Sequence, residues 1–332
     1  MADQTAMQAG AKAAAPASPG GTTADIGAEY DAYLRGAGNE RPLFDPEFLG
    51  QLERLSLVSK KIFTGRMKGE RRSKRRGISI EFADYREYVL GDDPRFIDWN
   101  VYGRLGKVFL KLFQEEEDLS VSLCVDCSTS MDFGTPWTKL RWAARVAGAI
   151  GYVALANSDR VTAAGLTDRV ACMLPSARGR RDVFRLFKFF EALRPAGNTN
   201  LTAACKEFAL RHRQKGLVVL ISDFLDPDGY EEAVRALVGR RIELICIQVL
   251  AREECAPPLA GDLRLKDVES ERVQDITMSV DLRDTYDRHL RAFTNGFRAF
   301  CMARGAAPIL AVSDEPAEDV IHKSLRALGV LG

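Results

Sequence analysis

From about residue 119 onward, short apolar runs of strand length alternate with longer segments whose apolar positions recur at helical spacing, the pattern of a parallel sheet flanked by helices. Leu119–Val125, Arg160–Leu166, Val170–Leu174, Leu217–Ile221, Ile242–Leu250 and Ala307–Val312 are β-branched or Leu-rich, as strands covered on both faces require. Lys139–Asn157, Arg181–Leu193, Leu201–His212, Tyr230–Gly239, Leu282–Arg304 and Ala317–Leu328 carry the helical period. Only Thr167, Asp168 and Arg169 separate the second strand from the third, too few for a crossover helix, so that pair is expected to be an antiparallel hairpin at one edge. The expected fold is α/β, a mostly parallel sheet with helices on both faces. Residues 252–280 interrupt the alternation with two polar–apolar runs, Asp262–Val268 and Arg272–Met278, which predict an inserted hairpin.

The first 118 residues read differently. Residues 1–40 are rich in Ala, Gly, Ser and Thr without period and predict a disordered tail. Residues 41–118 form a smaller α+β unit opened by a helix from Pro46 to Phe63, with Asp45 as its start signal. The large unit then spans 119–332. Within the small unit, residues 60–76 hold a basic run containing Lys60, Lys61, Arg66, Arg71, Arg72 and Arg76. A solvated loop, an acidic protein surface and a nucleic-acid backbone all suit it, although Phe63 is its one aromatic, so no series of aromatics is interleaved to stack bases. Arg86, Asp92, Asp93, Arg95 and Asp98 mix opposite charges with Tyr88 and Trp99, which suits Arg–carboxylate pairs holding the small unit against the large one, or contact with a partner.

Composition removes several function classes. The 47 Lys and Arg nearly balance the 46 Asp and Glu, a net charge of +1, so nothing global draws the chain to nucleic acid or an anionic membrane. No apolar run reaches the roughly 18 residues a membrane span needs, since Arg145 breaks the stretch from Trp142 to Ala156. No secretory signal opens the chain, so a cytoplasmic location is expected. The odd count of seven cysteines, with Cys124, Cys172, Cys205, Cys246 and Cys301 in apolar surroundings, suits small buried hydrophobes rather than a disulfide framework. Cys124 and Cys127 form a C-x-x-C, but it straddles a strand end instead of opening a helix. Phosphate-binding loops of the G-x-x-x-x-G-K-[ST] and G-x-G-x-x-G types are absent, and His212, His289 and His322 sit apart in predicted helices as surface or capping residues.

The remaining chemistry lies where strands end. After Val121–Val125 the chain reads Asp126-Cys127-Ser128-Thr129-Ser130, at the edge where open α/β sheets bind ligands. One carboxylate and two hydroxyls at alternating positions suit a hard cation such as Mg²⁺, which takes oxygen ligands and keeps several waters. Thr199, in Gly197-Asn198-Thr199-Asn200 before a predicted helix, and Asp223, in Ser222-Asp223-Phe224 at another strand end, offer further oxygens. Each also has an ordinary use, Thr199 or Asn200 as a helix cap and Asp223 as a turn former.

Taken together these loops resemble the metal-ion-dependent adhesion site of the von Willebrand factor type A fold. That resemblance implies a metal held by Asp126, Ser128, Ser130, Thr199 and Asp223, directly or through water, with one position open for an acidic side chain of a partner. The segment from Glu81 to Tyr88, then Gly91-Asp92-Asp93-Pro94-Arg95-Phe96-Ile97-Asp98-Trp99, Arg104 and Asp126, is similar to domain-of-unknown-function family 58. Members of that family pair with an AAA+ ATPase of the MoxR type, so the resemblance implies a non-enzymatic adaptor or co-chaperone holding Mg²⁺, Mn²⁺ or Ca²⁺ and gripping an acidic client. Many relatives carry two amino-terminal membrane helices, whereas this chain has an Ala-rich tail there. The rival readings are a Mg²⁺-dependent phosphate-ester hydrolase using Asp126 and Asp223, and a nucleic-acid binder using the basic run.

Overall fold

The computed structural model describes residues 42–54, 81–114, 120–212, 216–239, 242–257, 261–266, 273–278 and 280–327. The expected tail and the basic run lie outside the described residues. The chain runs α1 (residues 46–54), β1 (Glu81–Glu87), α2 (Trp99–Leu105), β2 (Phe109–Gln114), β3 (Ser120–Asp126), α3 (Lys139–Ala156), β4 (Arg160–Leu166), β5 (Val170–Arg178), α4 (Val183–Glu191), α5 (Leu201–Arg211) and β6 (Gly216–Ser222). It continues through α6 (Glu231–Leu237), β7 (Ile242–Leu250), the single turn α7 (Arg252–Cys255), β8 (Gly261–Lys266), β9 (Val273–Met278), α8 (Val280–Met302), β10 (Ala307–Val312) and α9 (Ala317–Ala327). Six strands form one sheet in the order β10-β7-β6-β3-β4-β5, with β5 antiparallel to β4 and every other pair parallel. The α/β architecture and the edge hairpin are those the alternation predicts. The inserted hairpin is β8 against β9.

The central strands are buried on both faces, and their period of two divides the core. Val121, Leu123 and Val125 of β3, with Leu217, Val219 and Ile221 of β6, face a cluster closed by α1, α3, α4 and α9. Cys124 of β3, with Val218 and Leu220 of β6, faces a second cluster closed by α5, α6 and α8. Here α1 departs from expectation. Instead of opening the small unit, Leu43, Phe44, Phe48 and Leu52 are buried in the core of the large sheet. Phe44 stacks on Phe187 of α4 with ring centroids 3.9 Å apart. Arg145 of α3 donates to the Leu43 carbonyl at 2.7 Å and lies over the Phe48 ring.

The small unit is the antiparallel pair β1–β2 with α2 between them. Contact with a partner is the other use expected of its charged residues, besides holding it against the large unit. The pairs seen there tie the unit to itself: Arg86 to Asp92 at 2.7 Å, Arg95 to Asp93 at 2.8 Å, and Lys111 to Asp98 at 3.1 Å. The Asp98 carboxylate caps α2 through the Asn100 and Val101 amides and accepts from the Tyr85 hydroxyl at 2.8 Å. Those contacts, the Tyr85 hydroxyl foremost, hold its carboxyl down at about 2.

Candidate metal site

In chain order β3 leads to β4 on one side, whereas β6 lies on its other side and leads away to β7, so the strand order reverses between β3 and β6. A crevice opens at the carboxyl ends of the strands at such a reversal. Asp126 is the last residue of β3, and Ser222 and Asp223 end and follow β6. All three are buried. The two loops are stitched directly, because the Ser222 hydroxyl donates to Asp126 Oδ2 at 2.6 Å. Ser222 is oriented in turn by the Phe224 amide, which donates to its oxygen at 3.0 Å. Phe224 makes that contact with φ at +58°, a conformation that costs a bulky residue of order 1–3 kcal/mol. Burial of its ring against Tyr230 and Phe297 holds it there.

The Asp126 loop is likewise built from its own sequence. Asp126 Oδ1 accepts from the Ser128 amide at 2.9 Å, turning the chain into a short 3-10 turn at Thr129–Met131. That turn brings the Ser128 and Ser130 hydroxyl oxygens within 3.0 Å of each other. The loop carrying Thr199 is fastened beneath it. Ala196 donates its amide to the Cys127 carbonyl at 2.8 Å, and Thr129 donates amide and hydroxyl to the Gly197 carbonyl at 3.1 and 2.7 Å. The helix-capping role falls to Asn200, whose side chain accepts from the Ala203 amide at 2.8 Å; Thr199 is half-buried beside it. Asp223 does form a turn, accepting from the Leu225 amide at 3.0 Å.

Asp223 also has a partner that sequence reasoning missed. The Lys139 ammonium lies 2.8 Å from Asp223 Oδ2 and 2.6 Å from Glu254 Oε1. The Lys139 and Asp223 side chains are each only 1% exposed. Burial alone would push the lysine toward its neutral form, but Asp223 and Glu254 outweigh it and raise its pKa, so it stays an ammonium. A signal did exist: Lys139 is the first residue of α3, where the helix dipole disfavours a cation, so a lysine there calls for a carboxylate close by. Its partners lie 84 and 115 residues away, beyond any local pattern.

Burial and the nearby charge of Asp223 push the Asp126 carboxyl up to about 6 from its ordinary 3.8. Two carboxylates confined near each other favour a cation beside them, a demand that Lys139 meets at Asp223 and leaves open at Asp126. Among the described residues no group of three or more His, Cys, Asp or Glu side chains is placed to hold a metal, so hydroxyls and water would have to supply the other ligands. The Ser128 and Ser130 hydroxyls are hydrogen-bonded to each other at 3.0 Å, a separation that two ligands at ~2.1 Å and right angles around Mg²⁺ would also have. The cysteines add nothing to this donor set. Burial raises the Cys124 and Cys127 thiols, which opposes thiolate formation, although Cys172, expected in an apolar setting, is exposed. His212 is a capping residue that follows α5, half-buried, with its ring 2.8 Å from the Ser122 hydroxyl.

Among the described residues no helix is long and apolar enough to cross a membrane. An uncharacterised protein of Mycobacterium tuberculosis is 29% identical over 248 residues, covering 74% of this chain and 78% of its own length, and one of Mycobacterium bovis matches to the same degree. Of solved structures, the conserved hypothetical protein BatB from Bacteroides thetaiotaomicron is similar over 64% of this chain and 99% of its own, at 15% identity and a TM-score of 0.43. An aerotolerance-related membrane protein from Bacteroides fragilis covers 64% of this chain and 100% of its own at 15% identity and a TM-score of 0.40. Those two likenesses are too loose to carry an assignment. The family model described as "Protein of unknown function DUF58" matches residues 84–295, and the chain belongs to that family.

Proposed function

We propose that this chain is a metal-dependent protein-interaction module of the von Willebrand factor type A kind, which binds a divalent cation at Asp126, Ser128, Ser130, Thr199 and Asp223 and uses it to grip a carboxylate of a partner. The observation that carries the reading is the convergence of the β3 and β6 ends. A buried carboxylate driven toward its neutral form stands near a second carboxylate, and its loop carries a hydrogen-bonded hydroxyl pair. The bound cation supplies an electrophilic point of attachment for a carboxylate oxygen. The protein's part is to fix the donors: Ser222 and the Ser128 amide aim Asp126, and the Cys127–Ala196 and Thr129–Gly197 hydrogen bonds hold the Thr199 loop in place. Mg²⁺ suits the few carboxylates and many neutral oxygens of the set, with Mn²⁺ or Ca²⁺ as substitutes.

The partner that this reading favours is an AAA+ ATPase of the MoxR type, for which the chain would serve as adaptor or co-chaperone toward an acidic client. The test is capture from a lysate that contains the ATPase, with Mg²⁺ and with EDTA. The ATPase should be retained with Mg²⁺ and lost with EDTA, and Asp126→Ala, folded by circular dichroism, should fail to retain it in both. Retention that EDTA leaves undiminished would overturn the proposal.

A further inference from the structure

The cation already inside the site belongs to the protein. Lys139 spans from Asp223, a member of the donor set, to Glu254 on the turn after β7, so one ammonium bridges two loops of the same sheet edge. Both oxygens of Asp223 are engaged as the structure stands, Oδ2 by Lys139 and Oδ1 by the Leu225 amide. An incoming divalent cation must share Asp223 with that ammonium, and at such separations in a buried setting the repulsion between two cations is large. Glu254 offers the ammonium a second resting place. It is itself pinned, with Oε2 accepting from the Ala251 amide at 2.7 Å and its carbonyl accepting from the Tyr286 hydroxyl at 2.6 Å.

We infer that Lys139 is a built-in competitor that sets the metal affinity of this site, with Glu254 as the counter-ion that draws the ammonium aside when a metal arrives. The inference rests on the metal-site reading above and deepens it. Two opposite effects follow. Removing the ammonium frees Asp223 and tightens metal binding, whereas neutralising Glu254 leaves the ammonium to Asp223 alone and weakens it. A purely structural role for Lys139 gives the reverse sign for the first change, since a disordered site binds metal less well.

The experiment titrates the full chain with Mn²⁺, reading free Mn²⁺ by electron paramagnetic resonance, and repeats it with Mg²⁺ as competitor. Lys139→Met is expected to lower the Kd by about tenfold or more, and Glu254→Gln to raise it by about threefold or more. Arg252→Met, which deletes an exposed cation paired with Asp314 on the same edge, should move it by less than about twofold because solvent screens it. If Lys139→Met folds only when Mn²⁺ is present, that too supports the inference, and Glu254→Gln decides independently where Lys139→Met does not fold at all. Mn²⁺ uptake by Lys139→Met but not by the unaltered chain would support it in its strongest form. If the unaltered chain binds Mn²⁺ in an Asp126-dependent way and neither variant shifts the Kd as stated, the role given to Lys139 is wrong and the metal site stands. If neither the unaltered chain nor Lys139→Met binds Mn²⁺, both fall.

Discussion

At the scale of single residues, Asp126 makes the site sensitive to pH. The unfolded chain ionises this carboxyl near 3.8 and the metal-free folded chain near 6, so between those values the folded state holds more protons. The contribution of Asp126 to stability therefore falls as pH rises through that window and stays low above it. A divalent cation must displace the proton, so metal affinity should rise with pH and level off above about 6. Mn²⁺ titrations at about pH 5 and about pH 7.5 should differ by about tenfold, the weaker at low pH, and a flat profile would show that metal displaces no proton from Asp126 in that window. Asp98 works in the opposite sense. Its carboxyl is held at about 2, so the stability it gives the small unit is complete above about 4 and is lost as pH falls toward 2. Ser222→Ala should weaken metal binding without unfolding the chain, because it removes the donor that aims Asp126 Oδ2. Isothermal calorimetry beside a thermal melt separates those two effects.

At the scale of elements, α1 shows how tightly the core is closed. A Cβ added at Gly148 of α3 would lie 2.2 Å from Phe44 Cζ, so the helix gives up a side chain there to admit the ring. Phe44→Ala should cost about 3–5 kcal/mol and Gly148→Ala about 1–3 kcal/mol. In urea denaturation the second penalty should shrink in the presence of the first, since the clash needs both partners. The strands of the large sheet were legible because their residues obey one simple constraint, burial on both faces. The ends drawn for Ile242–Leu250 and Ala307–Val312 agree with β7 and β10. The pair β1–β2 was not legible. Its register slips between Phe82 and Asp84, which breaks the alternation that would have revealed a strand. The helix α1 was legible as a helix and misplaced as a packing unit, because a short apolar stripe does not say which surface it covers. Of the candidate site, the sequence offers only what is local, the spacing of Asp126, Ser128 and Ser130, which the loop brings together. Lys139 and Glu254 were not legible, because nothing along the chain links them to Asp223.

At the scale of the whole molecule, a ligand that binds only the folded state stabilises all of it. If the proposed site binds Mg²⁺, the ion at about 100 times its Kd should add about 2.7 kcal/mol, a rise in Tm of roughly 4–6 °C, and Asp126→Ala should show no such rise in a thermal melt. The hydrogen bond from Ser222 to Asp126 spans 96 residues and forms between neighbouring parallel strands, whose pairing is slow to assemble. The proposed cation site would therefore come into being late, after β3 and β6 have met, and a cation would have nothing to hold in the chain before then. In stopped-flow measurements Mg²⁺ should leave the refolding rate alone and slow the unfolding rate, making the loaded protein long-lived rather than quick to form.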